Sequence, residues 1–122
     1  MIRRKHPHLE ESIEMLRSKN LRKFTDVFSA DDERIGAALR FIHRPVEDVN
    51  NEQKLYRSYL VVQSIQFGGP VYVPTLFIES YEPDANRLTL GVDLETVKEE
   101  VWNREPDFAV RGLAVPEELP AI

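Results

Sequence analysis

The feature that most constrains this chain is a β-rich stretch over residues 59–92. Two runs rich in β-branched and aromatic residues flank the dipeptide Gly68-Gly69, and a polar turn at residues 83–86 precedes a third run. Glycine adopts the positive φ angles that a two-residue hairpin turn requires, so the first two runs predict a tight hairpin. The whole stretch predicts an antiparallel β-meander of three strands or more, over about residues 55–93.

The turn at Gly68-Gly69 also predicts the two faces of the sheet, because a hairpin turn sets the strand register. With Phe67 opposite Pro70, Tyr59 is expected opposite Ile78. One face is expected to pack on helices. The other face is also apolar, so a tail, another strand pair, a second subunit or a partner must cover it. Its members are Tyr59, Val61, Ile65, Phe67, Tyr72, Leu76 and Ile78.

Helical signals lie on both sides of this stretch. Apolar residues at helical spacing from Leu9 onward predict an N-terminal amphipathic helix, preceded by a basic and frayed segment at residues 1–8. Asp93, followed by apolar residues at helical spacing, predicts a short capped helix after the sheet. Pro74 lacks an amide hydrogen and therefore belongs at an edge or at a non-bonded ladder position. The expected fold class is α+β, with the meander packed against both helices.

Residues 29–44 support two interpretations. Ser29, with acidic residues at 31–33, matches a capped helix start, and Pro45 would end that helix. The alternative is a hairpin in which residues 24–30 and 35–44 are strands around an Asp-Asp-Glu turn. One long helix would then pack on a five-strand meander, an arrangement similar to that of the cystatins. A helix is the first expectation for this segment.

The length of 122 residues predicts a single domain over residues 1–122. Residues 106–122 combine apolar side chains with three prolines, which makes them too apolar for a free tail and unsuited to a helix. An extended C-terminal tail is therefore expected, with residues 110–115 lying against the body or a neighbour.

Composition excludes several classes of function. The absence of cysteine excludes disulfides, a thiol nucleophile and a thiolate metal site. No stretch is long and apolar enough to span a membrane, and no secretory signal is recognisable, so a cytoplasmic protein without membrane contact is expected. The net charge of −5 argues against nucleic acid as the main partner, although ten basic and seven acidic residues give residues 1–46 a charge of +3.

Candidate chemistry is sparse. His6 and His8 share a face only on an extended chain, so no metal site or cofactor is expected. No serine has the Gly-x-Ser-x-Gly context of a strained turn, and no glycine-rich loop opens a helix. Catalysis is therefore not expected, although Glu79 is predicted to lie on the core face and could act as an acid or base.

Three hypotheses about function follow. The first is a small non-catalytic protein-interaction domain (an adaptor, an inhibitor or an assembly factor) that binds a protein partner or a second copy of itself. The second is a small-molecule binder or enzyme with a pocket between sheet and helix, lined by Tyr56, Glu79 and Tyr81. The third is a nucleic-acid-associated protein. The first predicts a contact surface that comprises Tyr59, Phe67, Tyr72, Leu76, Ile78, Phe108 and Leu113. The third predicts a polyanion contact that comprises Arg3, Arg4, Lys5, Arg17, Lys19, Arg22 and Lys23.

Overall fold

A computed structural model describes residues 13–45 and 56–121. Within these residues the chain forms one seven-stranded sheet and three short helices, which confirms the α+β class. The strands are β1 (Asp26–Phe28), β2 (Arg34–His43), β3 (Ser58–Ser64), β4 (Gly69–Pro74), β5 (Ile78–Glu82), β6 (Arg87–Leu90) and β7 (Val115–Glu118). The helices are α1, described over residues 13–18, α2 (Leu94–Glu99) and α3 (Asp107–Val110).

The sheet is strongly curled. Its strand order is β4-β3-β2-β1-β6-β5, and the two edge strands are joined by a 3-10 turn at Thr75–Phe77. In a flat sheet, five strand spacings would place β4 and β5 about 24 Å apart. The three residues of the turn can bridge at most about 14 Å. The edges must therefore approach each other at this corner, and the concave side encloses the main core.

The main core joins that concave side to the helices. Ile13 and Leu16 of α1 and Val97 of α2 are buried, and Asp93 caps α2 as predicted by accepting a hydrogen bond from the backbone N–H of Thr96 (2.9 Å). The sheet contributes an almost wholly aliphatic set to this core: Val27, Ile35, Ala38, Phe41, Leu60, Val62, Val71, Val73, Ile78, Tyr81, Leu88 and Leu90.

The helix predicted for residues 29–44 is wrong, and the alternative hairpin is right. β1 pairs with β2 in antiparallel fashion around the Asp-Asp-Glu turn, where Asp32 takes a φ of 73°. β2 contains two bulges, one at Ile35 in its pairing with β1 and one at Leu39 in its pairing with β3, and each inserts an extra residue into β2. These insertions give β2 an apolar spacing close to three, which imitates a helix. The five-strand meander does not form, because β1 also pairs with β6 in parallel.

The predicted meander is also only partly correct. β3 and β4 form an antiparallel hairpin, but Tyr59 lies opposite Pro74, four residues from the predicted partner Ile78. The turn occupies residues 65–68, because the Ser64 hydroxyl accepts from the backbone N–H of Phe67 (3.3 Å) and donates to the carbonyl of Ile35 (2.6 Å). β5 then pairs with β6 and not with β4. The prediction that Pro74 lies in an edge strand is confirmed.

Candidate functional site: the C-terminal segment and its charged contacts

The C-terminal segment, residues 106–121, covers the second apolar face of the sheet. Phe108 of α3 is fully buried, with its ring centroid 5.8 Å from that of Tyr59, and forms a separate cluster with Ile42, Tyr59 and Val61. Residues 107–110 were expected to be extended, and they form a helical turn instead. Pro106 occupies the N-cap of that turn, where its missing amide hydrogen costs nothing, and Asp107 pairs with Arg111 (2.8 Å).

The end of the segment is held as a strand beside the second half of β2. β1 pairs with the first half of β2, and β7 pairs with residues 40–43 of β2 in antiparallel register, with Phe41 opposite Glu117. The backbone N–H of Lys23 also donates to the carbonyl of Pro120 (2.8 Å), and the side chain of Leu119 is buried in the main core. β7 therefore closes an edge of β2 that would otherwise be open.

Glu117 binds cationic or protonatable groups from two elements. Arg17 forms a bidentate pair with its carboxylate, with distances of 2.6 Å (Nη2 to Oε1) and 3.0 Å (Nε to Oε2). The ring of His43 lies 2.8 Å from the same carboxylate through Nε2. The hydrogen bond from Arg17, with a further contribution from His43, lowers the pKa of Glu117 to about 2. The carboxylate therefore carries a full negative charge at neutral pH.

Glu118 points to the opposite face of β7, as alternation along a strand requires. Its carboxylate accepts from Nε of Arg40 (2.6 Å) and lies 3.1 Å from Nζ of Lys23. The hydrogen bonds from Arg40 and then Lys23 lower the pKa of Glu118. Two consecutive acidic side chains thus contact basic groups on both faces of the β2 edge.

His43 links Glu117 to a buried serine. Its Nδ1 lies 2.8 Å from Oγ of Ser58 on β3. Because a carboxylate only accepts hydrogen bonds, Nε2 of the neutral ring carries the hydrogen and Nδ1 accepts from the hydroxyl of Ser58. A histidine between a serine and a glutamate is also the arrangement of a hydrolase triad. In a triad the serine contacts Nε2 and the acid contacts Nδ1, whereas here the two ring nitrogens are exchanged.

Three features make this relay a structural link and not a nucleophilic site. Ser58 is buried within β3, between β2 and β4, so a substrate carbonyl has no access to its hydroxyl. The nearby backbone N–H of Tyr56 is not a free donor for an oxyanion, because it donates to the hydroxyl of Tyr59 (3.1 Å). Arg17 already neutralises the carboxylate that would have to stabilise an imidazolium. The relay instead ties β7 to β2 and β3.

A cleft of about 130 Å³ lies beside these contacts, between α1 and the C-terminal segment. Apolar side chains from α1, β2 and the segment form part of its wall, and the Arg17–Glu117 pair forms another part. The lining residues are Leu16, Arg17, Asn20, Leu21, Phe41, Glu117, Glu118, Leu119 and Pro120. The segment therefore does not fill the space between itself and the helix.

The structure does not bring the seven predicted contact residues onto one exposed surface. Tyr59 and Phe108 bury each other, and Ile78 lies inside the main core. Phe67 and Tyr72 are half-buried, on the main core and on the second cluster respectively. Leu76 and Leu113 are exposed at the surface.

The candidate pocket residues are likewise separated. Tyr81 is buried in the main core, whereas Tyr56 packs edge-on against Tyr59 at 6.0 Å in the second cluster. Glu79, which was predicted to lie on the core face, is exposed. That prediction is wrong because a bulge between Ile78 and Ser80 shifts the register of β5.

The candidate polyanion residues are mostly engaged within the chain. Arg17 pairs with Glu117, Lys23 pairs with Glu118, and Nζ of Lys19 donates to the carbonyl of Tyr81 (3.2 Å). Arg22 is exposed. Arg3, Arg4 and Lys5 lie outside the described residues, as do His6 and His8.

Comparison with known proteins found no matching family, no matching curated protein and no matching solved structure. Across residues 13–45 and 56–121, no group of three or more metal-ligating side chains could hold an ion. Over the same ranges, no helix has the length and apolar character needed to cross a membrane.

Proposed function

We propose that the chain is a non-catalytic protein-interaction domain and that the outer side of its C-terminal segment is the contact surface. The observation that carries this proposal is a group of exposed apolar side chains within six residues. Val110 is 65% exposed, Leu113 is 40% exposed and Val115 is 51% exposed. Exposed apolar groups gathered on one short segment are typical of protein-binding surfaces.

The anchoring of the segment supports the same proposal. Phe108 is buried before this group and Leu119 after it, and β7 pairs with β2 between the two anchors. The backbone of the contact surface is therefore ordered before any partner arrives, which lowers the entropic cost of binding. Among the described residues, four other large apolar side chains are exposed, but they come from separate parts of the chain: Phe24, Ile65, Leu76 and Val101. Ile65 lies in the turn between β3 and β4. Single residues of that kind are normal on protein surfaces.

The edge of β4 offers a poorer contact. The backbone N–H of Tyr72 points away from β3 and donates to the carbonyl of Trp102 (2.8 Å). Pro70 and Pro74 occupy the alternate positions on the same side of the strand and have no N–H to donate. A partner strand would therefore find no free amide donor along β4, which favours the C-terminal segment as the contact.

The test compares a surface variant with a matched control. The double substitution Val110→Asp and Leu113→Asp places charges on the proposed contact, whereas Ile65→Asp places one on an isolated exposed residue. Tagged full chains would be cross-linked in the source cell, and stoichiometric partners identified by mass spectrometry. The expected result is a partner captured by the wild type and by Ile65→Asp but not by the double variant, with unchanged thermal unfolding. Capture of that partner by all three chains would contradict the proposal.

A further inference from the structure

We propose that the β2 edge beneath β7 is a binding site for an extended acidic peptide of a partner protein. In the closed structure, residues 115–119 of the chain occupy this site as an intramolecular ligand. The site lies beneath the C-terminal segment, whereas the contact proposed above lies on its outer side. The two proposals therefore concern different surfaces and can fail separately.

The charges at this edge specify an acidic occupant. Arg40 and His43 lie on the second half of β2, Arg17 comes from α1, and Lys23 precedes β1. All four side chains lie within 3.1 Å of one of two consecutive carboxylates, those of Glu117 and Glu118. Without the segment, three cations and an imidazole would converge on a few residues of open strand edge. Such a convergence attracts acidic side chains and repels basic ones.

Backbone pairing and one apolar contact complete the recognition. An extended chain at this edge adds a strand to the sheet, and side chains at alternate positions then provide specificity. Leu119 follows the acidic pair and is buried among residues that line the cleft, including Leu16 and Phe41. The preferred peptide is therefore extended, with two consecutive acidic residues followed by a large aliphatic residue.

The intramolecular ligand is held by contacts that can exchange. β7 is four residues long, and its ion pairs are partly exposed to solvent, which screens the attraction and leaves pairs of this class with a small contribution to stability. Gly112 provides a pivot before β7, because it has a φ of +78° and open space where a Cβ would be. β7 can therefore leave the edge while Phe108 keeps α3 in place.

This arrangement couples the two surfaces. A partner on the outer side of the segment requires the closed form, in which Leu113 and Val115 are held in position. An acidic peptide requires the open form, in which the β2 edge is free. Because each ligand selects one of two forms, each weakens the binding of the other by the same factor.

The experiment measures a labelled peptide against the full chain. The peptide is Ala-Val-Pro-Glu-Glu-Leu-Pro-Ala, the sequence of residues 114–121, with an N-terminal fluorophore for anisotropy. The chains are the wild type, the double variant Glu117→Gln with Glu118→Gln, and the control Glu33→Gln, whose exposed carboxylate forms no ion pair within the described residues. A second peptide with Gln in place of both Glu residues reports the charge requirement.

The double variant should bind the acidic peptide about tenfold more tightly than the wild type or the control, because its own segment no longer holds the closed form. The Gln peptide should bind the double variant at least about tenfold more weakly than the acidic one, and raising the salt concentration should reduce that difference. If the double variant does not fold, the single variant Glu118→Gln replaces it, since Glu118 is exposed.

Three results would overturn the proposal. The first is equal affinity of the acidic peptide for the wild type and the double variant. The second is equal affinity of the acidic and Gln peptides for the double variant. The third comes from light scattering of the wild type. A dimer that dissociates in the double variant would assign the β2 edge to the segment of a second copy. The peptides contain Val115 but lack Val110 and Leu113, the two residues that are changed in the test of the outer contact, so the peptide affinities test the β2 edge and not that contact.

Discussion

The substitution Glu117→Gln tests the central contact of the candidate site. It keeps the shape of the side chain and removes the charge that Arg17 and His43 bind. The bidentate geometry with Arg17, at 2.6 and 3.0 Å, is the arrangement in which an arginine–carboxylate pair is strongest. Nothing in the backbone of β7 requires a carboxylate at this position, so the expected loss comes from these two partners.

The magnitude follows from the pKa of the carboxyl group. Its pKa falls from 4.5 to about 2 in the folded chain. Two and a half pKa units would correspond to about 3 kcal/mol. Because a third of the side chain is exposed, solvent screens part of this energy, and we expect about 1–2 kcal/mol of lost stability at pH 7. For a domain of this size that loss lowers Tm by about 3–8 °C.

The pH dependence has a definite sign. The folded pKa of Glu117 lies below its unfolded value, so the stability it contributes is present above about pH 5 and lost as the pH falls towards 2. The difference in unfolding free energy between wild type and variant should therefore be largest near neutral pH and shrink steadily between pH 5 and pH 2. Other carboxyl groups titrate in both proteins and cancel in the difference.

Urea unfolding at pH 7, 4 and 2.5 measures this difference, with Glu33→Gln as the control. The control should follow the wild type within about 0.5 kcal/mol at every pH, as surface substitutions usually do. A difference between wild type and Glu117→Gln that stays constant down to pH 2.5 would show that the charge is not its source. A difference below about 0.3 kcal/mol at pH 7 would refute the argument that this pair holds β7 to the body.

Four further substitutions test the packing and the relay. Phe108→Ala should lower the free energy of unfolding by about 3–4 kcal/mol and speed amide hydrogen exchange in β7, because it removes the ring that fills the buried cluster with Tyr59. An unchanged exchange rate would show that β7 is held without α3. Gly36→Ala should lower the free energy of unfolding by about 3 kcal/mol or prevent folding, since its Cβ would overlap the backbone carbonyl oxygen of Gln63. Gly68→Ala, with open space but a φ of +78°, should cost only about 1 kcal/mol by urea unfolding. Ser58→Ala should lower the free energy of unfolding by about 1 kcal/mol, because the hydrogen bond to His43 is lost. If a fluorophosphonate labelled Ser58 of the wild-type protein, the relay would not be purely structural.

The sequence predicted the fold class, the capped helix at Asp93, the edge position of Pro74 and the need for a cover on the second sheet face. The prediction of a helix over residues 29–44 was wrong for a physical reason. Bulges at Ile35 and Leu39 interrupt the alternation of buried and exposed residues in β2, so the apolar residues of this strand have the spacing of a helix. The predicted register of β3 and β4 was wrong because Ser64, and not the glycine pair, fixes where the turn begins.

The partners that meet in the candidate site could not be derived from the sequence. Its central ion pair joins Arg17 to Glu117, which are 100 residues apart, and only the fold brings α1 and β7 together. A local signal did exist in the C-terminal segment, where two consecutive glutamates lie among prolines and aliphatic residues. An acidic pair in an otherwise apolar stretch needs cationic partners if that stretch is to be buried. That reasoning predicts the kind of contact but not which cations supply it.

The length of β2 explains why these contacts gather where they do. Its ten residues pair with β1 over the first part and extend beyond the end of β1 by residues 40–43. An exposed strand edge is a template for unwanted pairing, and proteins protect such edges with cover or charge. Here Arg40 provides the charge, His43 provides a hydrogen bond to the carboxylate of Glu117, and β7 provides the cover. The same basic groups that discourage pairing with arbitrary strands favour an acidic one, so protection of the edge and selectivity for its occupant have one physical origin.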